Sequence, residues 1–171
     1  LRGPEPFLHG IPQGDGSDAV TLPSQRGKIH HDGTRGPRLM KRFLCDTTLG
    51  QVHGLVAGPA AGTPLLLLHQ TPRSVDEFAE VMPILARERR VIALDTPGYG
   101  CSDRVPGRPG VADYARAVVD VLDSLKIGRV IVVGHHTGAV IAVEMAAAYP
   151  ARVERVVLSG PVFTDANGRA E

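Results

Sequence analysis

The chain has 171 residues, 43% of them hydrophobic and 22% charged, a balance that suits one globular domain with a sizeable core. A formal charge of +1 offers no general attraction for nucleic acid or an anionic membrane surface. Aromatic content of 4% with no Trp argues against a base-stacking platform, and no apolar run approaches the length of a membrane span. Cys45 and Cys101 are too few for a disulfide framework, so a reducing, cytoplasmic setting is expected. Oligomeric state is left open by the composition.

Residues 1–38 are rich in Gly, Pro and polar side chains and show neither strand nor helix periodicity, so this stretch reads as a flexible segment. His30 and His31 fall within it as a solvated pair, because no further ligands follow at metal-binding spacing. Residues 39–171 read as the core domain. Lys41–Asp46 and Gln51–Ala57 predict two strands joined by a hairpin at Thr47–Gly50. Pro64–His69 encloses four consecutive leucines, the run expected of a strand buried on both faces.

Ser74-Val75-Asp76-Glu77 has the Ser-x-x-Glu form of a capping box, and Phe78, Val81, Met82 and Leu85 follow at helical spacing. Pro83 is expected to kink or divide that helix. A strand at Val91–Asp95 and a Gly/Pro-rich loop come next. Tyr114, Val118, Val121, Leu122 and Leu125 then mark the buried stripe of a second helix that Gly128 should end. Strands at Val130–Val133 and Val153–Ser159 flank an Ala-rich helix. The alternation predicts an α/β fold, a mostly parallel sheet with helices on both faces. The chain starts at Leu1 and stops at Glu171 shortly after the sixth predicted strand, so the expectation is an incomplete core with an uncovered strand edge.

The motif carrying most chemistry is Gly134-His135-His136-Thr137-Gly138, placed between a strand and a helix. It has the Gly-x-nucleophile-x-Gly form of a nucleophile elbow, with His136 in the reactive slot. Two loops accompany it: His69-Gln70-Thr71-Pro72 after the third strand, and Asp95-Thr96-Pro97-Gly98-Tyr99-Gly100-Cys101-Ser102-Asp103 after the fourth. Together, over Leu39 to Val162, these residues resemble the α/β-hydrolase family, whose oxyanion loop, Asp-x-x-Gly-x-Gly-x-Ser loop and elbow occur in this order.

The resemblance implies hydrolysis of a small-molecule substrate, a small ester or related carbonyl compound, with no metal and no organic cofactor. It places the oxyanion and binding function on Gln70, Thr71 and Thr137, through the main-chain N–H groups of Thr71 and Thr137. It places the catalytic acid and base beyond the sixth strand, so residues 1–171 alone should be inactive. Asp165 reads as a solvated loop carboxylate. Three roles stay open for His136: attack on an acyl group, activation of water, or occupancy of a site that only binds. A cofactor-free lyase or oxygenase on the same fold is a further alternative.

The neighbouring polar residues carry plainer expectations. His135 should pack beneath the turn, and His69 should brace its loop by hydrogen bonds. Arg73 either orients an anionic substrate or is a surface charge. Cys101 reads as a small packing residue. Gly98-Tyr99-Gly100 is a tight turn and not a dinucleotide fingerprint, since Asp103 stands where the third Gly belongs.

Overall fold

Two short runs, Leu-Leu-Leu-Leu and Val-Ile-Ala-Leu, form the centre of the sheet because both of their faces are covered. In the computed structural model, which describes residues 40–162, these are β3 (Leu65–Leu68) and β4 (Val91–Leu94), and every residue in them is buried. β1 (Lys41–Thr47) and β2 (Gly50–Ala57) form the predicted hairpin at one side. β5 (Val130–His135) and β6 (Val153–Ser159) lie at the other, giving the order β1-β2-β4-β3-β5-β6. β2 joins β4 antiparallel, whereas β4, β3, β5 and β6 are mutually parallel.

Alternate residues of the central strands feed two cores, as the period of two along a strand requires. On one face Leu66, Leu68, Ile92 and Val132 meet α2 (Val111–Ser124) and α3 (Thr137–Ala148). On the other, Leu65, Leu67, Val91 and Ala93 pack on Val75, Phe78 and Met82. Full burial of each such aliphatic side chain contributes about 1.5–3 kcal/mol. α2 is amphipathic and buries Val118, Val121 and Leu122 as its stripe predicts. α3 is instead apolar nearly all round, and its small Gly138, Ala139 and Ala142 let it lie close to the sheet.

Three local expectations change. The chain from Ser74 does not form one kinked helix: a 3₁₀ turn (Val75–Phe78) and a separate short α1 (Val81–Leu85) divide it, with Pro83 inside α1. The capping box is half made. Ser74 Oγ accepts from Asp76 N–H, but the Glu77 carboxylate turns away to other partners. Gly128 does not end α2; the helix closes at Leu125, and Lys126 takes the left-handed conformation at φ 56°.

β6 is the last strand in the order, and its Val157 and Leu158 are 51% and 38% exposed, so the uncovered edge is present among the described residues. Among those residues no helix is long and apolar enough to cross a membrane. The segment 1–38 with His30 and His31, and the loop carrying Asp165, lie outside the described residues.

The hairpin is fastened to α2 by Asp120, whose Oδ2 accepts Thr48 N–H at 3.0 Å while Oδ1 accepts Arg116 Nε at 2.8 Å. Desolvation pushes this carboxyl up, but the hydrogen bonds from Thr48 and Arg116 and the guanidinium charge together outweigh it, and the group stays below the ordinary carboxylate range. A depressed carboxyl stabilises above its unfolded pKa, and that contribution is lost as pH falls through the folded one. Acid should therefore loosen this joint only below about pH 4, after carboxylates of ordinary pKa have begun to protonate. Protection of the Thr48 amide, taken relative to its intrinsic exchange rate at each pH, should fall with acid in the wild type, and in Asp120→Asn should be low already at neutral pH.

Candidate active site

The elbow forms because β5 runs straight into α3 with one residue between them. That residue, His136, has φ 52° and ψ −112°, a conformation L side chains rarely adopt and that costs about 1–3 kcal/mol. Its N–H donates to Ser159 O at 2.9 Å, and its carbonyl accepts Ala139 N–H at 3.0 Å, so the surroundings hold it there. Glycines flank it because nothing larger fits. A Cβ on Gly134 would collide with the Gly138 carbonyl, and a Cβ on Gly138 with the Leu68 carbonyl. His136 thus stands at the carboxyl ends of the parallel strands, where open α/β sheets bind ligands. The imidazole is half-buried, and its Nδ1 is buried with no partner among the described residues.

The loop after β3 is braced as expected. Thr96 N–H donates to His69 Nε2 at 2.9 Å, which leaves the ring proton on Nδ1, 2.8 Å from the Gln70 carbonyl it serves. That carbonyl also accepts Arg73 N–H at 2.8 Å, and Gln70 N–H reaches Glu77 Oε2 at 3.3 Å. Gln70 therefore bonds here through its main chain. Thr71 departs from expectation: its N–H is not free, because it donates to Thr137 Oγ1 at 2.6 Å, and Thr71 Oγ1 donates to the same oxygen at 2.6 Å. Thr137 meets the loop through its hydroxyl. Its own N–H, first in α3, has no intrahelical acceptor.

His135 also differs from its expected packing beneath the turn. Its side chain is 38% exposed, and Nδ1 donates to Glu77 Oε1 at 2.7 Å. Glu77 consequently ties the loop after β3 to the elbow from one carboxylate, a role hidden in sequence by its place in the Ser-x-x-Glu pattern. The sequence carries no signal for it, since 58 residues separate Glu77 from His135.

Beneath the site lies a knot centred on Asp95. Its Oδ1 accepts Val75 N–H at 2.7 Å, and its Oδ2 accepts both Cys101 N–H and His53 Nδ1 at 2.8 Å. Ser102 Oγ donates to the Asp95 carbonyl at 2.8 Å and accepts His53 N–H at 2.9 Å. The spacing of the Asp-x-x-Gly-x-Gly-x-Ser loop follows from this, and Gly100 must lack a Cβ because one would strike the Asp95 carboxyl. His53, Asp95 and Cys101 offer potential metal-ligand atoms within 4.8 Å of one another. Both lone-pair directions of Oδ2 are already taken by N–H donors whose positive ends would face a cation, so the group reads as structural. Tyr114 lines a small cavity next to Asp95; burial first, then Tyr99 and Asp113, raise its phenol above 10.0, which suits a neutral donor and not a base.

A family model described as the alpha/beta hydrolase fold matches residues 63–170. The chain belongs to the α/β-hydrolase fold family. It is 32% identical over 139 residues to a serine hydrolase-like protein of Danio rerio, covering 80% of this chain and 43% of that one. It is 43% identical over 108 residues to 2-hydroxymuconate semialdehyde hydrolase of Pseudomonas sp. strain CF600, covering 58% of this chain and 37% of the other. Among solved structures, Cfl2 of Burkholderia cenocepacia superposes with a TM-score of 0.69 at 31% identity, over 72% of this chain and 42% of that one. The hydrolase-fold segment thus spans about two-fifths of the length of the curated relatives it matches, 43% and 37% in these two cases.

Proposed function

We propose that the complete polypeptide hydrolyses small esters or related carbonyl compounds, and that His136 works at the position of attack. The observation that carries this reading is the strained His136 backbone, held at φ 52° between two glycines at the end of β5. Strain of this kind persists where the surrounding structure over-determines it, and it concentrates at functional sites. The likeness to a semialdehyde hydrolase supports a small carbonyl-bearing substrate.

Imidazole suits the slot because one of its nitrogens carries a free lone pair near neutral pH, which a hydroxyl without a base does not offer as a nucleophile. Nε2 either adds to the acyl carbon and expels the alkoxide, or takes the proton from an attacking water and passes it to the departing alkoxide. In the first route the alkoxide leaves as the alcohol with a proton from solvent as Nδ1 gives up its own, so that water then cleaves the neutral acyl-imidazole. Both routes need the lone pair on Nε2 and hence the proton on Nδ1. The orphaned Nδ1 therefore calls for an acceptor, the part a carboxylate plays when it orients a catalytic histidine.

A second reading, a hydrolase-like protein that binds a small molecule without turning it over, draws on two observations. Nδ1 has no orienting partner among the described residues, and the Thr71 N–H is already engaged. Initial rates on a panel of chromogenic esters decide between the two. A loss of about 100-fold or more in His136→Ala supports catalysis, whereas undiminished turnover removes both catalytic roles of His136.

A further inference from the structure

β1 stands first in the sheet order and pairs only with β2 among the described residues. The main-chain groups of Gln51 and His53 turn away from β1, toward Asp103, Ser102 and Asp95. Their register partners in β1 are Asp46 and Leu44. By the alternation of an antiparallel pair, the N–H and C=O groups of Arg42, Leu44 and Asp46 therefore point outward from the sheet edge. The side chains of these three share the face opposite Phe43 and Cys45, which pack into the core beside α2. All three residues are exposed, Leu44 to 59%. None of the ion pairs among the described residues uses Arg42 or Asp46, and Asp46 Oδ1 accepts only Gln51 Nε2, at 2.9 Å.

We propose that this edge pairs antiparallel with β1 of a second copy, about a two-fold axis at Leu44. Charges on an edge strand commonly keep other chains away. Here their sign reverses about Leu44, with Arg42 on one side and Asp46 on the other. A second copy turned about the axis sets its Leu44 against Leu44 and its Asp46 against Arg42, at both ends of the strand. Lys41 then meets Thr47, so no like charges face each other. The patch is thus complementary to itself, as a two-fold interface requires. The outward main-chain groups of Arg42, Leu44 and Asp46 find their counterparts in the same register, and the apolar and charged cross-strand pairs each add to the association. A shift of two residues either way puts Leu44 opposite Arg42 or Asp46 and leaves the charges unmatched, so the pattern selects one register. The occupant is a second copy because one sequence supplies both halves of each ion pair.

Sedimentation equilibrium of the complete polypeptide tests this, and the wild type should dimerise at micromolar concentration. Arg42→Asp and Asp46→Arg each place like charges opposite one another at both ends of the interface. Each should weaken dimerisation about 10-fold or more. An equimolar mixture of the two variants should regain wild-type affinity, because one strand then carries both carboxylates and the other both guanidinium groups. The double exchange, Arg42→Asp with Asp46→Arg, restores opposite charges within one chain and should also dimerise like the wild type. Recovery in the mixture shows that each single variant is folded, since a misfolded chain would not regain a partner. Three results would overturn the proposal. One is a monomeric wild type, as expected if residues 1–38 cover the strand. Another is a dimer whose Kd neither single substitution changes, which would place the contact on a different surface. The third is weakened dimerisation that neither the mixture nor the double exchange restores.

Discussion

Asp95→Ala should lower unfolding stability by about 3–5 kcal/mol, the sum expected when several buried donors lose their acceptor together. The carboxylate is fully buried and collects Val75 N–H, Cys101 N–H and His53 Nδ1. Removing it strands three buried or part-buried donors at once, and an unsatisfied buried polar group alone costs about 1–3 kcal/mol. The damage should also travel. Val75 opens the 3₁₀ turn that carries Glu77, and Glu77 fastens both Gln70 and His135. Denaturant unfolding with unchanged slope measures the loss, and a change below about 1 kcal/mol would show that the knot does not bear this weight.

Gly138→Ala should be nearly as harmful, at about 3 kcal/mol, the upper end of overpacking costs. The new Cβ would press on the Leu68 carbonyl and come within 2.9 Å of His69 O. These are backbone atoms, so no side chain can rotate away, and α3 must retreat from β3. That retreat also separates Thr137 from Thr71, so the site should suffer with the fold. Gly128→Ala is the matched control: its added methyl would meet nothing within 4 Å among the described residues, and stability should change by less than about 0.5 kcal/mol.

The strands and the elbow were legible because each is a short-range pattern. Four leucines in β3 can be buried on both faces only inside a sheet, and Gly134 and Gly138 announce a turn too tight for side chains. His69 as a brace was legible in part, since Gln70 is its chain neighbour, whereas its bond from Thr96, 27 residues away, depends on β4 lying beside β3. What stayed hidden were long-range choices made by individual side chains. Glu77 had a plausible local task as a capping residue and took a distant one at His135. His53 reads as one polar residue within a strand, and its pairing with Asp95, 42 residues away, depends on β2 lying beside β4. The Thr71–Thr137 contact spans 66 residues and follows from two rotamers, which no spacing encodes.

The proposed hydrolysis rests on His136 occupying a working position of attack. The most direct test is kcat/KM for ester hydrolysis by the complete polypeptide, compared between wild type and His136→Ala, with His136→Gly beside them. Glycine relieves the φ 52° strain, so that variant should be at least as stable as wild type, and its inactivity could not be blamed on unfolding. The expected result is a folded, stable His136→Gly protein with turnover reduced about 100-fold or more. Turnover equal to wild type in both variants would contradict a catalytic His136.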